Sequence, residues 1–311
     1  MFIHLYIHTM TIKHLVISGG AYYGFCIYGA LRQLSYLNKF QIQNIETIYA
    51  TSVGTMIGCM VALDYDWNTL DDYLIKRPWH QTFPVNLNSI FSAYTNCGVF
   101  DYKFINSVMH PILLGKNLDP DITLREFYDV TGIKMGFITT CAEDISSKTL
   151  THLSDPDLPL TNAIYYSCCL PILFKPATYK GDIYVDGGIT NNFPIDISIE
   201  NGAKKDEILG VQLRPLNAPK VQTDSLLDFL FSLLNVIIKS VIAVQPTNTI
   251  DNHITIQKPS LSLTSLYETI NHQSVREELV SNGVNTVNMF YSNVSRSESN
   301  IESSSGSDDN V

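Results

Sequence analysis

The run Ile48-Tyr49-Ala50-Thr51-Ser52-Val53-Gly54-Thr55 carries an apolar strand pattern straight into a small-x-Ser-x-small turn, and residues 55–63 after it read as a helix. A serine at such a junction stands out of the backbone on a tight strand-to-helix turn, which tolerates only small neighbours two residues to either side. Ala50 and Gly54 occupy those places. A strand handing over to a helix that returns along the sheet is the unit of a parallel α/β layer fold, so this one junction excludes most other architectures.

A similar unit opens the chain. Residues 13–18 read as a buried strand, the turn Gly19-Gly20-Ala21-Tyr22-Tyr23-Gly24 follows, and a helix over 25–37 keeps Ile27, Leu31 and Leu34 on one side. Further strands are expected over 45–50, 134–140, 149–153 and 208–213, a helix over 163–170 that stops at Pro171, and a short hairpin over 179–185 turning on Gly181-Asp182. Interleaved aromatics, prolines and polar turns over 64–125 predict helices and loops capping the sheet. The domain reading is a short extension over 1–12, an α/β domain over 13–215, a helical C-terminal extension over 216–291, and a tail over 292–311 whose serines, asparagines and acids predict disorder. Met1 and Met10 are both candidate starts.

At 311 residues, 45% of them hydrophobic, the chain can bury a sizeable core. Its formal charge of -10 leaves no footprint for nucleic acid and no pull towards an anionic membrane, so any lipid contact has to be mainly apolar. Six cysteines (Cys26, Cys59, Cys97, Cys141, Cys168, Cys169) form no CxxC pair, which points to neither a zinc site nor a disulfide framework and favours a reducing, cytoplasmic setting. The first ten residues lack the basic flank and long apolar core of a secretory signal. Residues 226–244 are long enough to span a bilayer, yet Asp228, Ser232, Asn235 and Lys239 recur on one helical face. The stretch therefore reads as an amphipathic helix, packed on the core or in peripheral contact with lipid or a partner.

The glycine turn admits several chemistries. A P-loop needs Lys and then Ser or Thr where this chain has Phe25 and Cys26, and a dinucleotide fingerprint needs glycine where Ala21 stands. What remains is a bland tight turn, or one whose N–H groups near a helix start face a developing oxyanion. Asp186, in Asp186-Gly187-Gly188, is likewise either an ordinary turn aspartate or a placed carboxylate.

In this order the motifs resemble the patatin-like phospholipase family, which has a Gly-rich loop after the first strand, Gly-x-Ser-x-Gly after the second, and an Asp-Gly-Gly or Asp-Gly-Ala. The surroundings Ser167-Cys168-Cys169-Leu170-Pro171-Ile172-Leu173-Phe174 and Asp186-Gly187-Gly188-Ile189-Thr190-Asn191-Asn192-Phe193-Pro194 resemble it too, so the likeness covers about residues 14–200. The resemblance implies a three-layer α/β/α sandwich with a mostly parallel central sheet. It also implies hydrolysis of phospholipid or lysophospholipid acyl esters at a lipid or membrane surface, without metal or organic cofactor. On this chain it makes Ser52 the nucleophile, Asp186 the base, and the amides of Gly19, Gly20 and Ala21 the oxyanion hole, with Gly24, Ala50, Gly54, Gly187 and Gly188 as the small positions of the motifs. The chain departs from the usual pattern at Ala50 and Ala21, where glycine is common, and at Tyr23, where a basic residue is. Two other readings stand beside this one: an esterase with a Ser…Asp…His triad completed by His253 or His272, and a scaffold that binds lipid without turnover.

Overall fold

Buried apolar runs bounded by polar turns form the strands, and the helices between them turn their apolar stripes onto the sheet. In the computed structural model, residues 11–83, 97–216, 221, 223, 226–244 and 248–305 are described. The chain runs β1 (His14–Ile17), α1 (Gly24–Tyr36), β2 (Thr47–Thr51), α2 (Val53–Ala62), α3 (Trp67–Asp71), α4 (Trp79–Thr82), β3 (Gly98–Phe100), α5 (Tyr102–Leu114) and α6 (Leu124–Thr131). It continues with β4 (Lys134–Cys141), β5 (Ser146–Leu150), α7 (Leu160–Cys168), β6 (Ile172–Phe174), β7 (Ala177–Tyr179), β8 (Asp182–Asp186), α8 (Ile195–Glu200) and β9 (Ile208–Pro215). It closes with α9 (Leu226–Val244), β10 (Asn252–Lys258), α10 (Leu263–Asn271) and α11 (Gln273–Ser305).

The main sheet has 8 strands in the order β10-β9-β1-β2-β4-β8-β7, with β5 added to β4. Strands β10, β9, β1, β2 and β4 pair in parallel, whereas β8, β7 and β5 add antiparallel. The expected mostly parallel α/β sheet is thus present. β1 and β2 lie at its centre, and each hands over at its C-terminal end to a helix, so the glycine turn and Ser52 emerge side by side. Ligand sites of parallel sheets form at this edge, because the helix N-termini point their amides there.

Three segments differ from expectation. Strand β5 begins earlier than residues 149–153, because the Asp144 side chain accepts the Ser146 amide and sets a tight turn straight after β4. Residues 216–291, read as a helical C-terminal extension, also contribute β10, which pairs with β9 in the main sheet. Its alternation of Ile254 and Ile256 with half-exposed neighbours carried the strand signal. Helix α11 runs past residue 292 to Ser305, into the stretch whose composition predicts disorder; a helix already nucleated by packing adds one hydrogen bond for each residue it fixes. The segments 1–10, 84–96 and 306–311, which include part of the expected N-terminal extension, of the aromatic region and of the tail, lie outside the described residues.

Candidate active site

Ser52 is the residue between β2 and α2, with φ 53° and ψ -131°. A left-handed φ on a non-glycine residue costs of the order of 1–3 kcal/mol and persists only where the surroundings over-determine it. They do so here. The Ser52 amide donates to Ser167 Oγ at 2.9 Å, and Ser167 Oγ in turn donates to the carbonyl of Ile138 on β4. On the other side the Ser52 carbonyl accepts from the Thr55 amide (2.8 Å) and the Thr55 hydroxyl (2.6 Å). Small neighbours are required: a Cβ on Gly54 would lie 2.6 Å from the Ser18 carbonyl oxygen, so α2 could not pass this close to the end of β1. Ala50 is fully buried between β1 and β4.

Asp186 ends β8 and reaches the same point. Its Oδ2 accepts from Ser52 Oγ at 2.6 Å, and its Oδ1 accepts from the Gly188 amide at 2.7 Å. Thr140 Oγ1 donates to the Asp186 carbonyl at 3.0 Å, which fixes the backbone that carries the carboxylate. Burial pushes the Asp186 carboxyl up to about 6, against the smaller opposing pull of the bonds from Ser52 and Gly188. The carboxylate is therefore a stronger base than one in water, yet ionised at neutral pH.

The glycine turn lies against this pair. Gly19 donates its amide to the Asn192 carbonyl at 3.1 Å, so that N–H is engaged within the chain. Gly20 and Ala21 open a short 3-10 turn that leads into α1, and among the described residues their amides have no intrachain acceptor. Ala21 adopts φ 50°, the conformation that glycine takes without penalty and that costs an L-residue about 1–2 kcal/mol.

An open cavity begins at Ser52 and Asp186 and is otherwise walled almost wholly by apolar side chains, among them Met56, Trp79, Phe83, Phe104, Val108 and Phe174. The expected capping region supplies Leu74, Trp79, Phe83, Phe100, Phe104 and Val108 to that wall. Its rings pack on each other, with Phe83 and Phe104 stacked at 4.1 Å and Phe104 edge-on to Phe174 at 5.2 Å.

The histidines are elsewhere. His253 lies on β10, bonded to Gln212 Oε1 at 3.1 Å and stacked on Phe193, with burial, reinforced by Arg214, holding its pKa below the usual value. His272 pairs with Glu268 at 3.1 Å on the surface. Neither borders the cavity, and among the described residues no histidine bonds Ser52 or Asp186, so the Ser…Asp…His constellation is not assembled. Ser167 and Asn192 were not singled out from the sequence. The signal for both is their place in the stretches 167–174 and 186–194 that resemble the family's motifs.

The fold and this junction define a class, the α/β proteins with a serine on a strand-to-helix elbow facing an apolar cavity. Within that class the chain belongs to the patatin-like phospholipase family, whose model matches residues 15–199. It is 34% identical over 201 residues to the probable lipid hydrolase 463L of Invertebrate iridescent virus 6, an alignment covering 63% of this chain and 66% of that one. It is 23% identical to the triacylglycerol lipase ptl3 of Schizosaccharomyces pombe over 58% of this chain and 40% of the relative. The chain thus spans less than two thirds of the length of these relatives. Among solved structures, VipD from Legionella pneumophila shares the fold, with a TM-score of 0.55 and 17% identity over 90% of this chain and 66% of that one.

Proposed function

We propose that this chain is a lipid acyl hydrolase that cleaves carboxylic acyl esters of phospholipids or lysophospholipids, with Ser52 as nucleophile and Asp186 as its direct base. The observation that carries the reading is the 2.6 Å bond from Ser52 Oγ to Asp186 Oδ2 at the head of a cavity lined by apolar side chains. A bond of that length places the acceptor where the proton must go as the hydroxyl attacks. Ser52 Oγ adds to the ester carbonyl, its proton passes to Asp186, and the negative oxygen is held by the amides of Gly20 and Ala21. Collapse breaks the C–O bond to the alcohol, which leaves with the proton from Asp186. Water then gives its proton to Asp186, attacks the acyl-serine, and releases the fatty acid as Ser52 regains its hydrogen.

Lipid approach is supported by α9. Its Phe229, Leu230, Leu233 and Ile237 face outwards, forming an apolar stripe that fits the low-charge contact expected of a chain at -10. Among the described residues no helix is long and apolar enough to cross a membrane. Initial rates on a lysophospholipid test the proposal: Ser52→Ala and Asp186→Asn should each lower kcat by at least about a thousandfold, with the double variant little worse than either single one. Residual activity above about a tenth in Ser52→Ala would remove Ser52 from the nucleophile's place.

A further inference from the structure

A second, smaller cavity meets the first at Ser52, sharing Ala21, Ser52, Leu170 and Asp186 with it. Its character is different, because Asn192, Asn235, Ser260 and Lys258 border it. Lys258 is the last residue of β10 and is only 7% exposed. Among the described residues no carboxylate lies within ion-pair distance of its ammonium. Nζ makes one long bond, 3.4 Å, to the Pro259 carbonyl, and sits 5.0 Å over the ring of Tyr23. The nearby Cys26 thiol is no counter-ion, since burial pushes it up to about 12. Asp186, the carboxylate that borders the same cavity, is committed to Ser52 and Gly188.

Burying an ammonium away from any anion is costly, and burial accordingly lowers Lys258 to about 8, so that it still carries its charge at neutral pH. A ring face offsets only a small part of that cost. An incoming anion would offset much more, since it meets a cation already stripped of water.

We propose that this polar cavity receives the phosphate of a glycerophospholipid substrate and that Lys258 is the cation that binds it. The acyl chain then occupies the apolar cavity, the scissile carbonyl sits at Ser52 where the two cavities meet, and the phosphate lies on the other side. This assignment rests on the acyl-hydrolase reading and adds a basis for choosing phospholipid over neutral glyceride.

Lysophosphatidic acid and the monoacylglycerol of the same chain, which differ only by the phosphate, separate the two ideas when compared as monomers. Lys258→Met and Lys258→Gln should lower kcat/KM on lysophosphatidic acid at least about tenfold while leaving the monoacylglycerol within about threefold, because one charge-assisted contact is lost. Both variants should melt no lower than the parent, since a buried charge has been removed. Equal loss on both substrates would overturn the assignment. Calorimetric binding of sn-glycerol 3-phosphate to the Ser52→Ala protein needs no turnover and should be weakened by adding Lys258→Met. Binding without hydrolysis by the parent would leave the anion site standing and remove the hydrolase reading, whereas hydrolysis with neither binding nor Lys258-dependent preference would do the reverse. Inorganic phosphate binding as tightly as glycerol phosphate would assign the cavity to the free ion and overturn the head-group assignment.

Discussion

At the scale of single residues, the proposed chemistry depends on how far burial can raise a carboxylate without disabling it. Asp186 at about 6 must be ionised to accept the Ser52 proton, so kcat/KM on a soluble ester should rise with pH through about 6 and level off above it. A histidine titrates in the same region, so the profile alone does not distinguish the bases. His253→Gln does: with His253 stacked on Phe193 away from Ser52, the rate should stay within about threefold, where loss of a triad histidine would cost several orders of magnitude. The same burial makes a stability prediction. The folded-state value lies above the ordinary 3.8, so the carboxyl favours folding in acid and that contribution is lost as pH rises through about 6. Above that pH the buried charge costs an amount of the order of 2–3 kcal/mol. Asp186→Asn should therefore be inactive yet more stable than the parent in urea at pH 8, with the gain vanishing near pH 4. A variant less stable at pH 8 would mean that the bonds from Ser52 and Gly188 outweigh desolvation.

At the scale of elements, α9 shows what periodicity can and cannot convey. The spacing of Asp228, Ser232, Asn235 and Lys239 did mark one face of a helix, but among the described side chains that face turns inwards: Ser232 is buried and Asn235 is half-buried. The side chain of Asn235 explains the inversion, since it donates to the Leu261 carbonyl at 2.9 Å and accepts the Leu261 amide at 3.0 Å. A polar residue with both bonds met can face the interior, and sequence alone does not reveal its partner. Of the leucines away from those polar positions, Leu234 is buried and Leu230 is 39% exposed. The pair Leu230→Asp and Leu233→Asp should reduce activity on neutral liposomes at least about tenfold, in low and high salt alike, while sparing a soluble ester and the melting temperature. Leu234→Asp should instead lower the melting temperature and both activities, as a charge in the core does. Equal losses on both substrates from the outer pair would show that α9 serves only the fold.

For the whole molecule, what was legible lay where one local pattern decides one local structure. The two strand-turn-helix units, the stop at Pro171 and the Asp-Gly-Gly turn were all readable, and with them Ser52 and Asp186. Contacts between distant segments were not. β10 sits beside β9, and α11 packs along α1 so tightly that a Cβ on Gly283 would lie 1.9 Å from the Cys26 carbonyl oxygen. Nothing in residues 273–305 names α1 as the partner, and Lys258 becomes legible as a candidate ligand only when β10 brings it against the glycine turn. Gly283→Ala should thus lower stability by about 1–3 kcal/mol through overpacking, read as a lower denaturation midpoint with an unchanged slope.

The claim on which everything else depends is that Ser52 is an activated nucleophile and Asp186 activates it. Labelling with a fluorophosphonate, followed by mass spectrometry of the modified peptide, reads that directly and independently of any lipid or head group. The account predicts stoichiometric modification at Ser52 in the parent protein, labelling slowed at least about a hundredfold in Asp186→Asn, and none at residue 52 in Ser52→Ala. Modification of a different serine, or an unchanged rate in Asp186→Asn, would contradict it.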